Sequence, residues 1–153
     1  MSPRLFYRAL ALAEAVTWTL LIVGLLMKYV WDAGDLGVRV GGTIHGFVFL
    51  AYAMTAVLVG VNQRWRFPLI ALGVVTAIVP YATIPFELWA DRTGRLNGPW
   101  RRTPTDDPRD RSWVNVTLRW FLNRPVTLGV LFVIALGGIF STLLVIGPPG
   151  GDR

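Results

Sequence analysis

The 153-residue sequence contains no cysteine and only one histidine, His45. Without thiols the chain can form neither disulfide bonds nor thiolate metal sites, and thiolate catalysis and iron–sulfur ligation are excluded with them. One histidine supplies too few imidazole nitrogens for a multi-histidine metal site within a single chain. The sequence also lacks a phosphate-binding glycine loop, paired catalytic carboxylates and a Ser, His and Asp set. It therefore predicts a non-enzymatic protein without a metal or a cofactor.

Charged residues are also scarce, since Asp, Glu, Lys and Arg make up 16% of the chain whereas 54% of it is hydrophobic. So few charges cannot cover the surface of a water-soluble domain that contains this much apolar material. The same apolar content excludes a disordered chain. Of the fifteen basic residues, fourteen are arginine, which indicates a GC-rich bacterial genome. We therefore expect a small multi-pass protein of the bacterial plasma membrane.

Four apolar segments are long enough to cross about 30 Å of hydrocarbon, which takes about 20 helical residues. They cover about residues 9–30, 38–61, 68–89 and 125–147, and the third alone is interrupted by prolines. The predicted fold is an all-α transmembrane bundle of four spans with one short interfacial helix. Its parts are a three-span unit (1–92), an arginine-rich loop (93–124), and a last span with a short tail (125–153). Gly147, Pro148 and Pro149 are expected to end the last span.

The loop between the third and fourth segments is rich in Arg, Asp, Gly and Pro. Within it, residues 112–122 place Trp113, Val116, Trp120 and Phe121 on one face at helical spacing. Short helices with Trp and Arg lie in the membrane interface, so we predict an amphipathic interfacial helix; a solvated first turn of the last span is the alternative. Arginines placed this way are typical of interfacial charge and not of nucleic-acid binding, and we expect them to meet anionic lipid.

The basic residues also give a prediction of orientation. With four spans, five basic residues lie on the side of the chain termini and ten lie on the other side, including the eight arginines of residues 92–124. Positive charge favours the cytoplasmic side of a membrane. We therefore predict that the arginine-rich loop is cytoplasmic and that both termini are outside the cell.

Ionisable residues inside a span cost roughly 2.5 to 3.5 kcal/mol, so each needs a partner or a role. Lys28 ends the first span, where its side chain reaches the interface. If the first two spans form an antiparallel hairpin that turns near Gly34, Glu14 lies at the depth of Tyr52 and one helical turn from Trp18. We expect a protonated or hydrogen-bonded Glu14 that faces the bundle interior and accepts from Tyr52 and Trp18.

Pro80 and Pro85 lack an amide donor within the third span, which leaves main-chain carbonyls without their helical partners. A hairpin of the second and third spans puts His45 at this depth, where His45, Tyr81 and Thr83 can supply donors. These residues form either a binding site, as in transporters with broken helices, or an internal network that only fixes packing. The predicted polar site comprises Glu14, Trp18, His45, Tyr52, Pro80, Tyr81 and Pro85.

Several of these positions also carry a family resemblance. They are Arg8 and Glu14, Lys28 with Tyr29, the Gly42 to Gly46 element of pattern Gly-x-x-His-Gly, and Pro80 followed by Pro85 and Phe86. Residues 4–92 resemble a domain-of-unknown-function family of small bacterial integral membrane proteins, frequent in actinobacteria and sometimes labelled YdzA-like. The resemblance implies a three-span unit with no established activity, and it implies nothing about the arginine-rich loop or the last span.

Two functions are compatible with the sequence. The first is a non-enzymatic accessory or scaffolding subunit of a membrane complex, whose arginine-rich loop meets anionic lipid or an acidic protein partner. The second is an oligomeric protein that binds or translocates a proton, an ion or a small amphiphile through the intramembrane polar site. Subunits that co-purify with the protein would favour the first, and a homo-oligomer with a bound small molecule would favour the second.

Overall fold

The computed structural model describes residues 1–147, and within this range the protein is helical and has no strands. The helices α1, α2 and α6 are long and apolar enough to cross a membrane. The prediction of an all-α membrane protein is confirmed, with three candidate spans and not four. The helices are α1 (Pro3–Tyr29), α2 (Leu36–Asn62), α3 (Phe67–Val75), α4 (Thr83–Arg92), α5 (Trp113–Leu122) and α6 (Pro125–Ile146), with 3-10 turns at Thr76–Ile78 and Pro108–Arg111.

α1 and α2 form an antiparallel hairpin whose backbones approach closely at glycines. A Cβ at Gly24 would lie 2.5 Å from the main-chain carbonyl of Gly37. A Cβ at Gly41 would lie 2.8 Å from the main-chain oxygen of Leu20. Only glycine leaves room for this approach, as at other close helix contacts in membranes.

The glycine contacts give the hairpin a different register from the predicted one. Tyr52 lies beside Tyr7, with the two hydroxyl oxygens 2.7 Å apart, and not beside Glu14. Relative to the prediction, α2 is displaced along α1 by about two helical turns. His45 consequently lies opposite Thr17, close to the depth of Glu14.

The segment predicted as the third span, residues 68–89, reverses direction inside the bundle. α3 runs inward from the end of α2, and Thr76 Oγ1 just beyond it lies 3.1 Å from Tyr52 OH. The inward path of the chain ends at Pro80, because this residue lacks an N–H and holds the preceding residue, Val79, in an extended conformation, with φ −102° and ψ 124°. α4 then returns alongside α1. The prediction of a continuous third span is therefore wrong, because the prolines that were expected to interrupt it turn the chain back.

Both ends of this α3–α4 hairpin lie at one end of the bundle. Asp91 at the end of α4 accepts a hydrogen bond from Arg4 Nη2 at 2.6 Å, and the main-chain oxygen of Arg95 accepts from Trp65 Nε1 at 2.9 Å. The N-terminus therefore lies at the same end as the loop, and the prediction that placed them at opposite ends is wrong. We name the ends by their residues: the arginine-rich end comprises 1–8, 61–69 and 89–128, and the turn end comprises 28–39 and 140–147.

α6 runs from the arginine-rich end to the turn end beside α2. Phe132 packs against Phe6 with ring centroids 6.5 Å apart, and Phe140 packs edge-on against Phe47 at 5.6 Å. Leu136 is the buried side chain of this helix. Most of α6 is therefore exposed to its surroundings in the isolated chain.

α5 occupies the residues predicted to form the amphipathic helix. The Ser112 side chain caps it by accepting from the main-chain nitrogen of Asn115. Leu118 and Leu122 are buried, whereas Trp113 and Trp120 are exposed, so the helix presents an apolar outer face. The predicted stop of the last span at Pro148 and Pro149 lies outside the described residues.

Candidate functional site

Glu14 lies on the inner face of α1 and has no exposed surface. Its Oε2 accepts a hydrogen bond from Thr83 Oγ1 at 3.1 Å, and Thr83 is the first residue of α4. The Thr83 hydroxyl also lies 3.2 Å from the main-chain oxygen of Ala11. Oε1 of Glu14 is buried without a hydrogen-bond partner among the described residues. Glu14 therefore faces the bundle interior, at the point where the α3–α4 hairpin turns back.

The predicted hydrogen bond from Tyr52 to Glu14 is not formed. The Tyr52 hydroxyl instead pairs with the hydroxyls of Tyr7, at 2.7 Å, and of Thr76, at 3.1 Å. Thr76 Oγ1 in turn donates to the main-chain oxygen of Gly73 at 2.6 Å. Tyr7 and Tyr52 are completely buried, so this hydroxyl chain links α1, α2 and the end of α3 inside the core.

Trp18 and His45 lie against each other, with ring centroids 4.4 Å apart. The Trp18 indole N–H, predicted to donate to Glu14, donates to the main-chain oxygen of Ala77 at 3.1 Å, in the 3-10 turn. His45 Nδ1 lies 3.1 Å from Thr17 Oγ1, whose single proton is donated to the main-chain oxygen of Glu14. The pair of Thr17 and His45 links α1 to α2 beside Glu14.

The proline-containing part of the predicted site shapes the hairpin turn. Tyr81 adopts the left-handed conformation, with φ of 64°, and its hydroxyl lies 3.1 Å from Thr19 Oγ1. The main-chain oxygen of Tyr81 accepts from Ile84 N, and His45 and Thr83 hydrogen-bond elsewhere, so the predicted donation by these side chains to carbonyls freed at Pro80 and Pro85 is wrong. Pro85 lies in the first turn of α4, where the missing N–H has no helical partner to lose.

Lys28, predicted as an interfacial charge, lies in the last turn of α1 at the turn end. Its Nζ is 5.4 Å from the centroid of the neighbouring Tyr29 ring. A cation at this position also complements the carbonyls at the C-terminus of the helix.

An ion-pair network between α1 and α4 was not anticipated from the sequence. Arg8 Nε donates to Glu87 Oε1 at 2.8 Å, and Arg8 Nη2 donates to Asp91 Oδ2 at 3.0 Å. Arg4 donates to the same Asp91 oxygen at 2.6 Å. The signal was present, because Arg4 and Arg8 on α1, like Glu87 and Asp91 on α4, are four residues apart and so share a helix face.

Asp110 organises the arginine-rich loop. Its Oδ1 accepts from Arg64 Nη2 and Arg101 Nη1, both at 2.8 Å, and its Oδ2 accepts from the Thr105 nitrogen and hydroxyl, also at 2.8 Å. The hydrogen bond from the Thr105 main-chain N–H, followed by those from its hydroxyl and Arg64, lowers the pKa of Asp110 well below the ordinary range. Donation from the Arg109 side chain lowers the pKa of Asp107 to about 2. The loop is therefore a folded, charged structure at neutral pH.

The contacts define what the interior can do chemically. Among the described residues around Glu14, the side chains supply this carboxyl group, the His45 imidazole and several hydroxyls, most of which are hydrogen-bonded. The buried carboxyl group of Glu87 is paired with Arg8. Within residues 1–147, no three His, Asp or Glu side chains come together as metal ligands would. Oε1 of Glu14 is the carboxylate oxygen of this cluster that has no hydrogen-bond partner among the described residues.

Comparison with known proteins identifies the family of this architecture. Residues 5–92 match the family described as Domain of unknown function (DUF3817). The chain is also 41% identical over 100 residues to "Putative membrane protein SCO5905" of Streptomyces coelicolor; this match covers 65% of the chain and 11% of that relative's length. No solved structure matches the chain. The YdzA-like label and a restriction to actinobacteria do not follow from these matches. The chain belongs to the DUF3817 family, an uncharacterised family with a membrane-protein relative.

Proposed function

We propose that the protein is a non-enzymatic accessory or scaffolding subunit of a complex in the bacterial plasma membrane. The observation that carries this proposal is that most interior polar side chains are hydrogen-bonded within the chain itself. Two hydrogen-bonded pairs, Tyr7 with Tyr52 and Thr17 with His45, join α1 to α2, as expected of polar contacts that fix packing. The surfaces available to other molecules are those of α6 and of the arginine-rich end.

The exposed length of α6 supports an assembly role. Among its described residues Leu136 is buried, whereas Val133, Ile134 and Val145 are each more than 60% exposed. A spanning helix with so few contacts to its own chain has its other faces available for lipid, a partner helix or a second copy. The Streptomyces coelicolor relative is much longer than the region it shares with this chain, which fits a unit that works beside other protein segments.

The arginine-rich end is proposed to be cytoplasmic, with the N-terminus on the same side. Lys28 and Arg39 lie at the turn end, and Arg153 lies outside the described residues. The other twelve basic residues lie at the arginine-rich end, so the positive-inside bias is stronger than the four-span prediction indicated. The exposed Trp113 and Trp120 of α5 support an interfacial position for this helix, next to anionic headgroups. The basic residues of this end are Arg4, Arg8, Arg64, Arg66, Arg92, Arg95, Arg101, Arg102, Arg109, Arg111, Arg119 and Arg124.

Single cysteines test this orientation, because the chain has no cysteine of its own. Ser2→Cys and Asp106→Cys lie at the arginine-rich end, and Asp35→Cys lies at the turn end. In intact cells, an impermeant thiol reagent should label only the variant at position 35, and permeabilisation should expose the other two. Labelling of position 2 or position 106 in intact cells would contradict the proposed orientation.

Native purification followed by mass spectrometry tests the scaffolding role. A stoichiometric set of co-purifying membrane subunits is the expected result. Purification of the chain without another subunit, as a homo-oligomer that carries a bound small molecule, would instead favour the second function.

That second function, binding or translocation of a proton or a small cation, is favoured by one specific observation. Glu14 Oε1 is buried without a partner where the α3–α4 hairpin turns, and an intramembrane carboxyl group in such a place is a frequent ion-pathway feature. Its test is the pair of Glu14 variants described in the Discussion.

A further inference from the structure

The mouth of the α3–α4 hairpin forms a cleft at the arginine-rich end. One wall is the segment between α2 and α3, residues 63–69, and the other is the end of α4 with the following turn, residues 89–97. Trp65 Nε1 donates to the main-chain oxygen of Arg95 at 2.9 Å and so ties the two walls together. The cleft has a volume of about 800 Å³, which suits a small-molecule group.

The charge of this cleft has one sign. Three arginines, Arg64, Arg66 and Arg95, line it, and none of the described residues in its lining is acidic. Arg64 is paired with Asp107 and Asp110. Neither Arg66 nor Arg95 forms an ion pair with a described residue. The cleft therefore has positive charge that its own chain does not neutralise.

Some hydrogen-bond donors in the lining of the cleft also lack acceptors. The Arg95 guanidinium stacks 4.4 Å above the Trp89 ring, which leaves the N–H groups at its edge available to another molecule. Gln63 Nε2 and Arg64 Nε are buried without a partner among the described residues. Both residues belong to the lining. An oxyanion in the cleft would complete these arrangements, since phosphate oxygens accept from guanidinium groups strongly.

The cleft has an apolar part beside its arginines. Pro68 and Leu69, in the first turn of α3, line it together with the Trp89 ring. Trp89 is 41% exposed and lies near the end of α4, as tryptophans do at membrane interfaces. A ligand with an anionic head and an apolar tail matches this order of surfaces, whereas free phosphate would use only the arginines.

We propose that this cleft binds the phosphate headgroup of an anionic phospholipid, with Arg66 and Arg95 as its principal ligands and with the acyl chains against Pro68, Leu69 and Trp89. Basic recesses between membrane helices bind anionic headgroups in this manner. The site lies outside the interior cluster around Glu14 and does not depend on the identity of a protein partner.

Native mass spectrometry of the full chain in detergent tests the site by titration with phosphatidylglycerol or phosphatidylcholine. One tight phosphatidylglycerol molecule is expected per chain. Each arginine is expected to contribute about 5-fold to the affinity, so Arg66→Gln with Arg95→Gln should weaken binding about 25-fold. The matched control is Arg102→Gln with Arg111→Gln, which removes the same charge from exposed positions at the same end, outside the cleft, and should leave binding within about 2-fold.

Three results would overturn the proposal. Equal losses in the two double variants would mean that the charge acts diffusely. Equal affinity for phosphatidylcholine would mean that the cleft does not distinguish an anionic headgroup from a zwitterionic one. Displacement of the lipid by millimolar inorganic phosphate would assign the cleft to a free anion. Thermal unfolding of each variant checks its fold.

Discussion

Replacement of Gly41 by alanine tests the packing that sets the register of α1 against α2. A Cβ at this position would lie 2.8 Å from the main-chain oxygen of Leu20 and 3.0 Å from its carbonyl carbon. Backbone atoms cannot rotate away, so the two helices must separate. Overpacking typically costs about 1 to 3 kcal/mol, whereas alanine in a helix interior gains up to about 1 kcal/mol over glycine. The expected net result is a destabilisation of about 1 to 2 kcal/mol.

The adjacent glycine provides the control. A Cβ at Gly42 would lie 3.7 Å from Leu21 Cδ1, an ordinary contact, so Gly42→Ala should leave stability unchanged or raise it by up to about 1 kcal/mol. Thermal unfolding of both variants in the same detergent, followed by tryptophan fluorescence, compares them directly. A Gly41→Ala protein that melts at or above the temperature of Gly42→Ala would refute the role of glycine in this register.

Two further predictions concern the carboxyl groups. Because its folded pKa is depressed, Asp110 stabilises the loop above its ordinary pKa near 4 and loses this effect as pH falls toward the folded value; Asp107 does the same down to about pH 2. Protection of the Thr105 amide from hydrogen exchange, relative to an unstructured amide at the same pH, should fall below about pH 4 in the native protein. In Asp110→Asn this protection should already be low at neutral pH, and identical protection in both proteins would contradict this account. At Glu14, a structural role predicts that Gln is tolerated and that Leu destabilises the fold by roughly 1 kcal/mol, whereas a proton or cation site predicts that Gln abolishes ligand-dependent activity in a folded protein. A Glu14→Leu protein as stable as the native one would contradict the structural role.

Periodicity and composition were sufficient to predict the helices and the membrane class. The segments around residues 9–30, 38–61 and 125–147 are continuous apolar runs, and α1, α2 and α6 follow them closely. Such runs are local properties, because a helix in lipid satisfies its own backbone hydrogen bonds. The inward position of Glu14 was also predictable, since a carboxyl group facing lipid is costly.

The register of the helices depended on contacts that periodicity does not encode. The hairpin model treated the connection near Gly34 as symmetric, whereas the packing of Gly24 and Gly41 against the opposite backbone displaces α2 by about two turns. This displacement gave Tyr52 a different partner and brought His45 to Thr17. Small residues in apolar segments are common, and the sequence does not distinguish the ones that touch a neighbouring helix from the ones that do not.

An apolar helical membrane protein with an arginine-rich loop and an interior carboxyl group is predictable from the amino-acid sequence, because each of these features follows from residue type and spacing along one helix. The packing of the helices was needed to see that residues 68–89 turn back at Pro80, that Thr83 reaches Glu14, and that the N-terminus and the loop lie at one end. A proline can kink a spanning helix or reverse it. The outcome here depends on non-local bonds, among them Arg4 and Arg8 to Asp91 on α4, and these exist only once α1 and α4 are packed together.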